Sequence, residues 1–117
     1  MKPFFKACRV LLATVIFSTC SIFTSSAAYQ LTVEATAYNA YEGSGIAADG
    51  TPAVPYATIA VDPDVIPLGS IVYVPGFGEM RANDTGGAIN GHKIDICMGD
   101  NASCYEWGRR TITVTVY

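Results

Sequence analysis

From residue 29 to its end the chain holds two leucines, Leu31 and Leu68, against eight valines, eight isoleucines and eight threonines. Branching at Cβ stiffens a side chain against a helical turn and suits it to a pleated surface, so this stretch predicts strands. The last seven residues show the pattern most cleanly: Ile112, Val114 and Val116 alternate with Thr111, Thr113, Thr115 and Tyr117. Leu31, Val33, Ala35 and Ala37 alternate in the same way with Thr32, Glu34, Thr36 and Tyr38, the period of a half-buried strand. Short runs at Tyr56–Val61, Ser70–Val74, Glu79–Asn83 and Lys93–Met98 bring the expected strands to six, with Gly- and Pro-rich turns between them. Asn39–Pro55 reads as one long loop, and Asp100 caps a short helix, Ala102–Trp107, that Gly108 ends. Closing so many short strands on themselves removes exposed edges, so the predicted class is all-β: a small six-stranded barrel with one short helix.

What precedes residue 29 has a different composition. Lys2, Lys6 and Arg9 are followed by an uncharged stretch from Val10 to Val33, apolar at first and ending its leader-like part in Ser26, Ala27 and Ala28. A basic start, a short apolar run and small residues describe a secretory signal peptide, expected over residues 1–28. An uncleaved anchor is the competing reading, but seven Ser and Thr residues between Val10 and Ala28 weaken a membrane span. Lipidation at Cys20 is a minor alternative, poorly matched by the preceding Phe17, Ser18 and Thr19.

The 117-residue chain has a formal charge of −3, yet the part after the leader keeps all ten acids and only Arg81, Lys93, Arg109 and Arg110, a formal −6. Nothing there would hold a phosphate backbone, so nucleic acid is not an expected partner, and neither is a membrane once the leader is cut. Export makes a disulfide between Cys97 and Cys104 the expectation, worth about 2.5 kcal/mol in the chain-entropy model. Two thiols with only His92 nearby make an incomplete zinc set, so no metal is expected. Histidine-dependent triads and zinc catalysis lack their residues, since His92 sits alone in a turn, and no nucleotide-binding glycine motif is present, so no cofactor is expected.

What remains is carboxylate chemistry. Asp62, Asp84 and Asp95 stand at element boundaries or inside a strand. Asp95 lies between Ile94 and Ile96, where aspartate is a poor strand former, and the simplest account turns the isoleucines inward and Asp95 to solvent. Asp84 opens the run Asp-Thr-Gly-Gly, and Asp62 precedes Pro63; each could do no more than start a turn.

Together the segments carry more. AVDPDVIPLGSIVY from Ala60 to Tyr73, ANDTGGAINGHKID from Ala82 to Asp95, and Trp107-Gly108 resemble the 3D domain, named for three aspartates, which here fall 22 and 11 residues apart. Ala35–Tyr38 is similar to that domain's first strand, so the resemblance covers residues 29–117 almost entirely. Asn90, where a lysine is common, and the cysteine pair are departures. The same core occurs in the membrane-bound lytic transglycosylase A family and in secreted proteins of spore-forming bacteria. The resemblance implies a double-psi β-barrel and a secreted, cell-wall enzyme that cuts peptidoglycan glycan strands between N-acetylmuramic acid and N-acetylglucosamine, leaving a 1,6-anhydro end. It makes Asp95 the catalytic acid and base, with Asp84 and Asp62 raising its pKa, orienting it or steadying charge on the sugar. Thr85, Gly86 and Gly87 would let the backbone approach the glycan, Tyr38, Tyr41 and Trp107 are candidates for stacking on sugar faces, and the Asn39–Pro55 loop would wall the groove.

Three rivals stay open. One keeps the fold and drops the chemistry, as a glycan-binding or expansin-like module. Another takes Asp84-Thr85-Gly86 as half of an aspartic-protease dyad completed by a second copy, although polar Arg81 and Asn83 sit badly with that family's apolar flanks. Hydrolysis with water depends on carboxylate spacing, which a sequence does not give.

Overall fold

The computed structural model describes residues 27–117, so the expected leader over residues 1–28 lies outside the described part but for its last two residues. The described chain forms β1 (Tyr29–Asn39), β2 (Thr58–Val61), β3 (Ile71–Val74), β4 (Gly78–Asp84), β5 (Lys93–Met98), a helix α1 (Asn101–Trp107) and β6 (Arg110–Val116). The six strands close into a barrel in the order β1-β5-β2-β4-β3-β6. The predicted all-β barrel with one short helix is therefore what the chain adopts.

Closure depends on β1, which is long enough to serve two partners. Its first part, Tyr29–Ala35, pairs antiparallel with β6, and its second, Glu34–Asn39, pairs parallel with β5. The β2–β4 pair is also parallel, and the remaining neighbours run antiparallel. Alternate residues fill the interior: Val33 and Ala35, Ile59 and Val61, Val72 and Val74, Met80 and Ala82, Ile94 and Ile96, Val114 and Val116, with Ile66 from the turn after β2. Each buried Val, Ile or Met contributes about 1.5–3 kcal/mol relative to an exposed one, and the two-residue period makes a register slip turn a whole strand's apolar face outward.

Two local departures from the sequence expectation matter for the site. Tyr56 takes a left-handed φ of 62°, the only non-glycine to do so among the described residues, and Ala57 and Thr58 both donate to the Val54 carbonyl. That turn delays β2 until Thr58. On the other side of β2 the register with β4 shifts: Ile59 lies opposite Ala82, but Ala60 lies opposite Asp84. Asn83 is the extra residue of a bulge, a device that re-aims the side chains beside it. Asp84 is thereby drawn level with Ala60.

At the barrel end formed by the last residues of β5, Asp100 caps α1 by accepting the Ser103 N–H at 2.7 Å, and Gly108 closes it at a φ of 65°. The helix starts one residue earlier than expected.

Candidate active site

Ala60 sits between two of the three aspartates. On one side it is paired with Asp84 of β4, on the other with Asp95 of β5. Their Cα atoms are thus two strand spacings apart, roughly 10 Å, with only a methyl group on the strand between them. Ile94 and Ile96 are fully buried in the barrel, so Asp95 faces outward, as the alternation requires. It does not face open solvent. Thr36, opposite it on β1, donates its hydroxyl to Asp95 Oδ1 at 2.9 Å. Burial pushes the Asp95 carboxyl above the usual aspartate range, and the negative charge of Asp84 pushes the same way. The Thr36 hydrogen bond and the Lys93 charge oppose this without cancelling it.

Asp84 is fixed by three donors. Its Oδ1 accepts the backbone N–H groups of Thr85 and Ala48, both at 2.9 Å, and its Oδ2 accepts the Tyr38 hydroxyl at 2.8 Å. Ala48 belongs to the long loop, which is pinned to β4 a second time where Asn83 Nδ2 donates to Thr51 Oγ1 at 2.8 Å. Inside this segment Ile46 and Pro52 form a small antiparallel bridge. Burial, followed by the hydrogen bond to Asp84, raises the Tyr38 phenol far above its ordinary value, so the ring stays a neutral donor to Asp84. Cys97 of β5 lies opposite Tyr38 in the strand register.

Asp62 stands apart from this arrangement. Its Oδ2 accepts the Gly91 N–H at 2.7 Å and its Oδ1 accepts the Asp64 N–H at 3.0 Å. These two bonds hold its carboxyl below the usual range, and Asp62 is not among the charges that act on Asp95. Its geometry is that of a clamp: one carboxylate ties the turn after β2 to the segment that leads into β5.

The other predicted contacts divide. Tyr38 is in the site. Thr85 follows Asp84 and donates to its carboxylate; a Cβ at Gly86 would come within 3.1 Å of Ile89 Cγ1 and press on that side chain, whereas Gly87 is open. Trp107 faces elsewhere. Its indole N–H donates to the Ala35 carbonyl at 3.1 Å, its ring meets Phe77 edge-on, and Arg110 lies 4.0 Å over its face. Arg110 therefore covers one face of the indole. Tyr41 is 76% exposed. The two cysteines of the expected disulfide are unbonded in this structure, with Cys97 buried on β5 opposite Tyr38 and Cys104 half-buried on α1.

Three participants had no signal in the sequence as read there. Thr36 looked like one more outward threonine, and only its register opposite Asp95 distinguishes it. Ala48 acts through its backbone, which no side chain advertises. Asn83 is buried, and its Oδ1 has no hydrogen-bond partner.

The 3D domain family model matches residues 57–117. The chain is 52% identical over 95 residues to the cell wall-binding protein YocH of Bacillus subtilis (strain 168), covering 77% of this chain and 33% of YocH. It is 41% identical over 93 residues to the putative cell wall shaping protein YabE of the same organism, covering 74% of this chain and 22% of YabE. The chain therefore spans about a third or less of these curated relatives. Among solved structures it is similar to MltA from E. coli, with 28% identity, a TM-score of 0.48, and coverage of 64% of this chain and 28% of that one. With more than half of its length, including all three aspartates, inside the matched segment, the chain belongs to the 3D domain family.

Proposed function

We propose that this protein is an exported lytic transglycosylase of the cell wall, cutting the β-1,4 bond between N-acetylmuramic acid and N-acetylglucosamine in peptidoglycan strands. The observation that carries the reading is the unequal pair on either side of Ala60. Asp95 is a half-buried carboxyl whose proton is held more tightly than an ordinary aspartate's, and Asp84 is a carboxylate locked in place by three donors. Such a pair divides the work that bond cleavage needs.

In the proposed reaction Asp95, protonated, gives its proton to the glycosidic oxygen as the bond to C1 breaks. The departing sugar leaves as an alcohol, and positive charge builds on the muramyl ring, where Asp84 offers a fixed negative charge. Asp95, now a carboxylate, takes the proton from the C6 hydroxyl of the same ring while that oxygen closes on C1. The product is the 1,6-anhydro sugar, no water is consumed, and Asp95 ends as it began. Tyr38 keeps Asp84 in position, and Thr36 orients Asp95. Asp62 supports the groove from outside by holding the segment that carries Gly91. The domain that does this comprises residues 29–117, because β1 supplies Thr36 and Tyr38.

Digestion of purified peptidoglycan followed by mass spectrometry tests the proposal. The expected result is muropeptides with 1,6-anhydro ends, absent when Asp95→Asn replaces the wild type. Fragments with ordinary reducing ends would make the protein a hydrolase. The relative named as cell wall-binding favours a second reading, a module that holds the glycan without cutting it. On that reading the protein co-sediments with the wall and yields no fragments.

A further inference from the structure

Tyr38 has two sides. Its hydroxyl is on Asp84, while the residue also lines a hollow of about 310 Å3 shared by the end of β1, the following turn and α1. Across the hollow stands Tyr105 of α1, 83% exposed, a large ring left in water. The polar wall is a chain of side chains that orient one another: Asn39 Nδ2 donates to Asn101 Oδ1 at 3.2 Å, and Asn101 Nδ2 donates to Glu42 Oε2 at 2.9 Å. Each amide has two donors and an acceptor with two lone pairs, so capacity for further hydrogen bonds is left in a fixed orientation.

We infer that this hollow is a subsite for one N-acetylglucosamine residue of the glycan strand, with Tyr105 stacking on the sugar face and Asn101 and Glu42 meeting its acetamido and hydroxyl groups. The inference rests on the glycan-cutting reading for its ligand and extends the groove past Tyr38 onto α1. Three features select the occupant. Tyr38 belongs to both the hollow and the aspartate pair, lining the first and donating to Asp84 of the second. Its walls combine aromatic faces with neutral amides, which suits a ring that is apolar on its faces and polar at its edge. Its lining contains no Lys or Arg and does contain Glu42, so an anionic ligand such as a stem-peptide carboxylate would be repelled.

The test uses the full chain carrying Asp95→Asn, so that no turnover occurs, and chitohexaose as the probe, followed by calorimetry and by amide shifts in NMR. Tyr105→Ala is expected to weaken chitohexaose binding about tenfold, the loss of one stacked ring, and Tyr105→Phe to retain it. Amides of residues 101–105 are expected to shift on titration. Because Tyr105 is exposed, an unchanged thermal melt checks that the variant is folded. The inference is overturned if Tyr105→Ala binds as tightly as its parent, if Tyr105→Phe loses as much as Tyr105→Ala, or if chitohexaose does not bind. Wild-type digestion run in parallel separates the two proposals. Anhydro products with a silent Tyr105 leave the transglycosylase without this subsite, and Tyr105-dependent binding without products leaves the subsite without the transglycosylase.

Discussion

Asp62 and Asp95 belong to the same motif and sit on or beside neighbouring strands, but the fold treats their charges in opposite ways. Asp62 ends β2 among backbone N–H groups that point at its oxygens, and those bonds favour the ionised form. Asp95 lies mid-strand against the barrel, where burial and the charge of Asp84 favour the protonated form. One carboxylate is set to hold a loop and the other to give a proton. The linkage signs follow. Stability from Asp62 is present above the ordinary aspartate range and is lost as pH falls through its lowered folded value. Asp95 works the other way: its ionisation costs stability as pH rises from the ordinary range through its raised folded value.

The largest effect expected is on activity. Asp95→Asn should lower the cleavage rate about 10³-fold, the scale of a lost general acid and base, while raising Tm at neutral pH because an unfavourable buried charge is gone. Both are read from one preparation, by product release and by thermal melt, and a fall in Tm would break the contrast. Asp62→Ala should do the reverse: a lower Tm at neutral pH, with the difference from wild type shrinking as the solution is acidified, and cleavage per folded molecule within about twofold of wild type. A loss of activity as deep as that of Asp95→Asn in fully folded Asp62→Ala would put the two aspartates in one role.

Tyr38→Phe removes one donor to Asp84 and leaves the ring, and the expected fall in kcat is about tenfold with little change in KM, measured on soluble glycan fragments. Smallest is Thr36→Val. Its hydroxyl stabilises the Asp95 carboxylate, so its loss should move the alkaline limb of the pH–rate profile upward and leave kcat at the optimum nearly unchanged. A limb that moves downward contradicts the hydrogen bond's assigned direction.

The barrel was legible because the alternation of Val and Ile names its inner face directly, strand by strand. The outward direction of Asp95 was legible for the same reason. Its environment was not, since Thr36 reaches Asp95 through a parallel pairing across 59 positions and Tyr38 reaches Asp84 across 46. The bulge at Asn83 that brings Asp84 level with Ala60 is a choice of register, and no residue type near it demands one. Tyr56 misled the start of β2 because an aromatic ring favours strands, whereas the turn from Val54 imposes a left-handed φ on it. Trp107 stood out by residue type alone, and its edge contact with Phe77 and the guanidinium of Arg110 over one face are products of packing. Cys97 and Cys104 were visible as a pair from spacing and export, whereas the burial of Cys97 opposite Tyr38 follows from strand register.

The contrast between the two aspartates is open to direct observation by NMR titration of the carboxyl carbons in the intact protein. Asp95 is expected to release its proton above the usual aspartate range and Asp62 below it. An Asp95 carboxyl that titrates at or below the position of Asp62 would contradict that contrast.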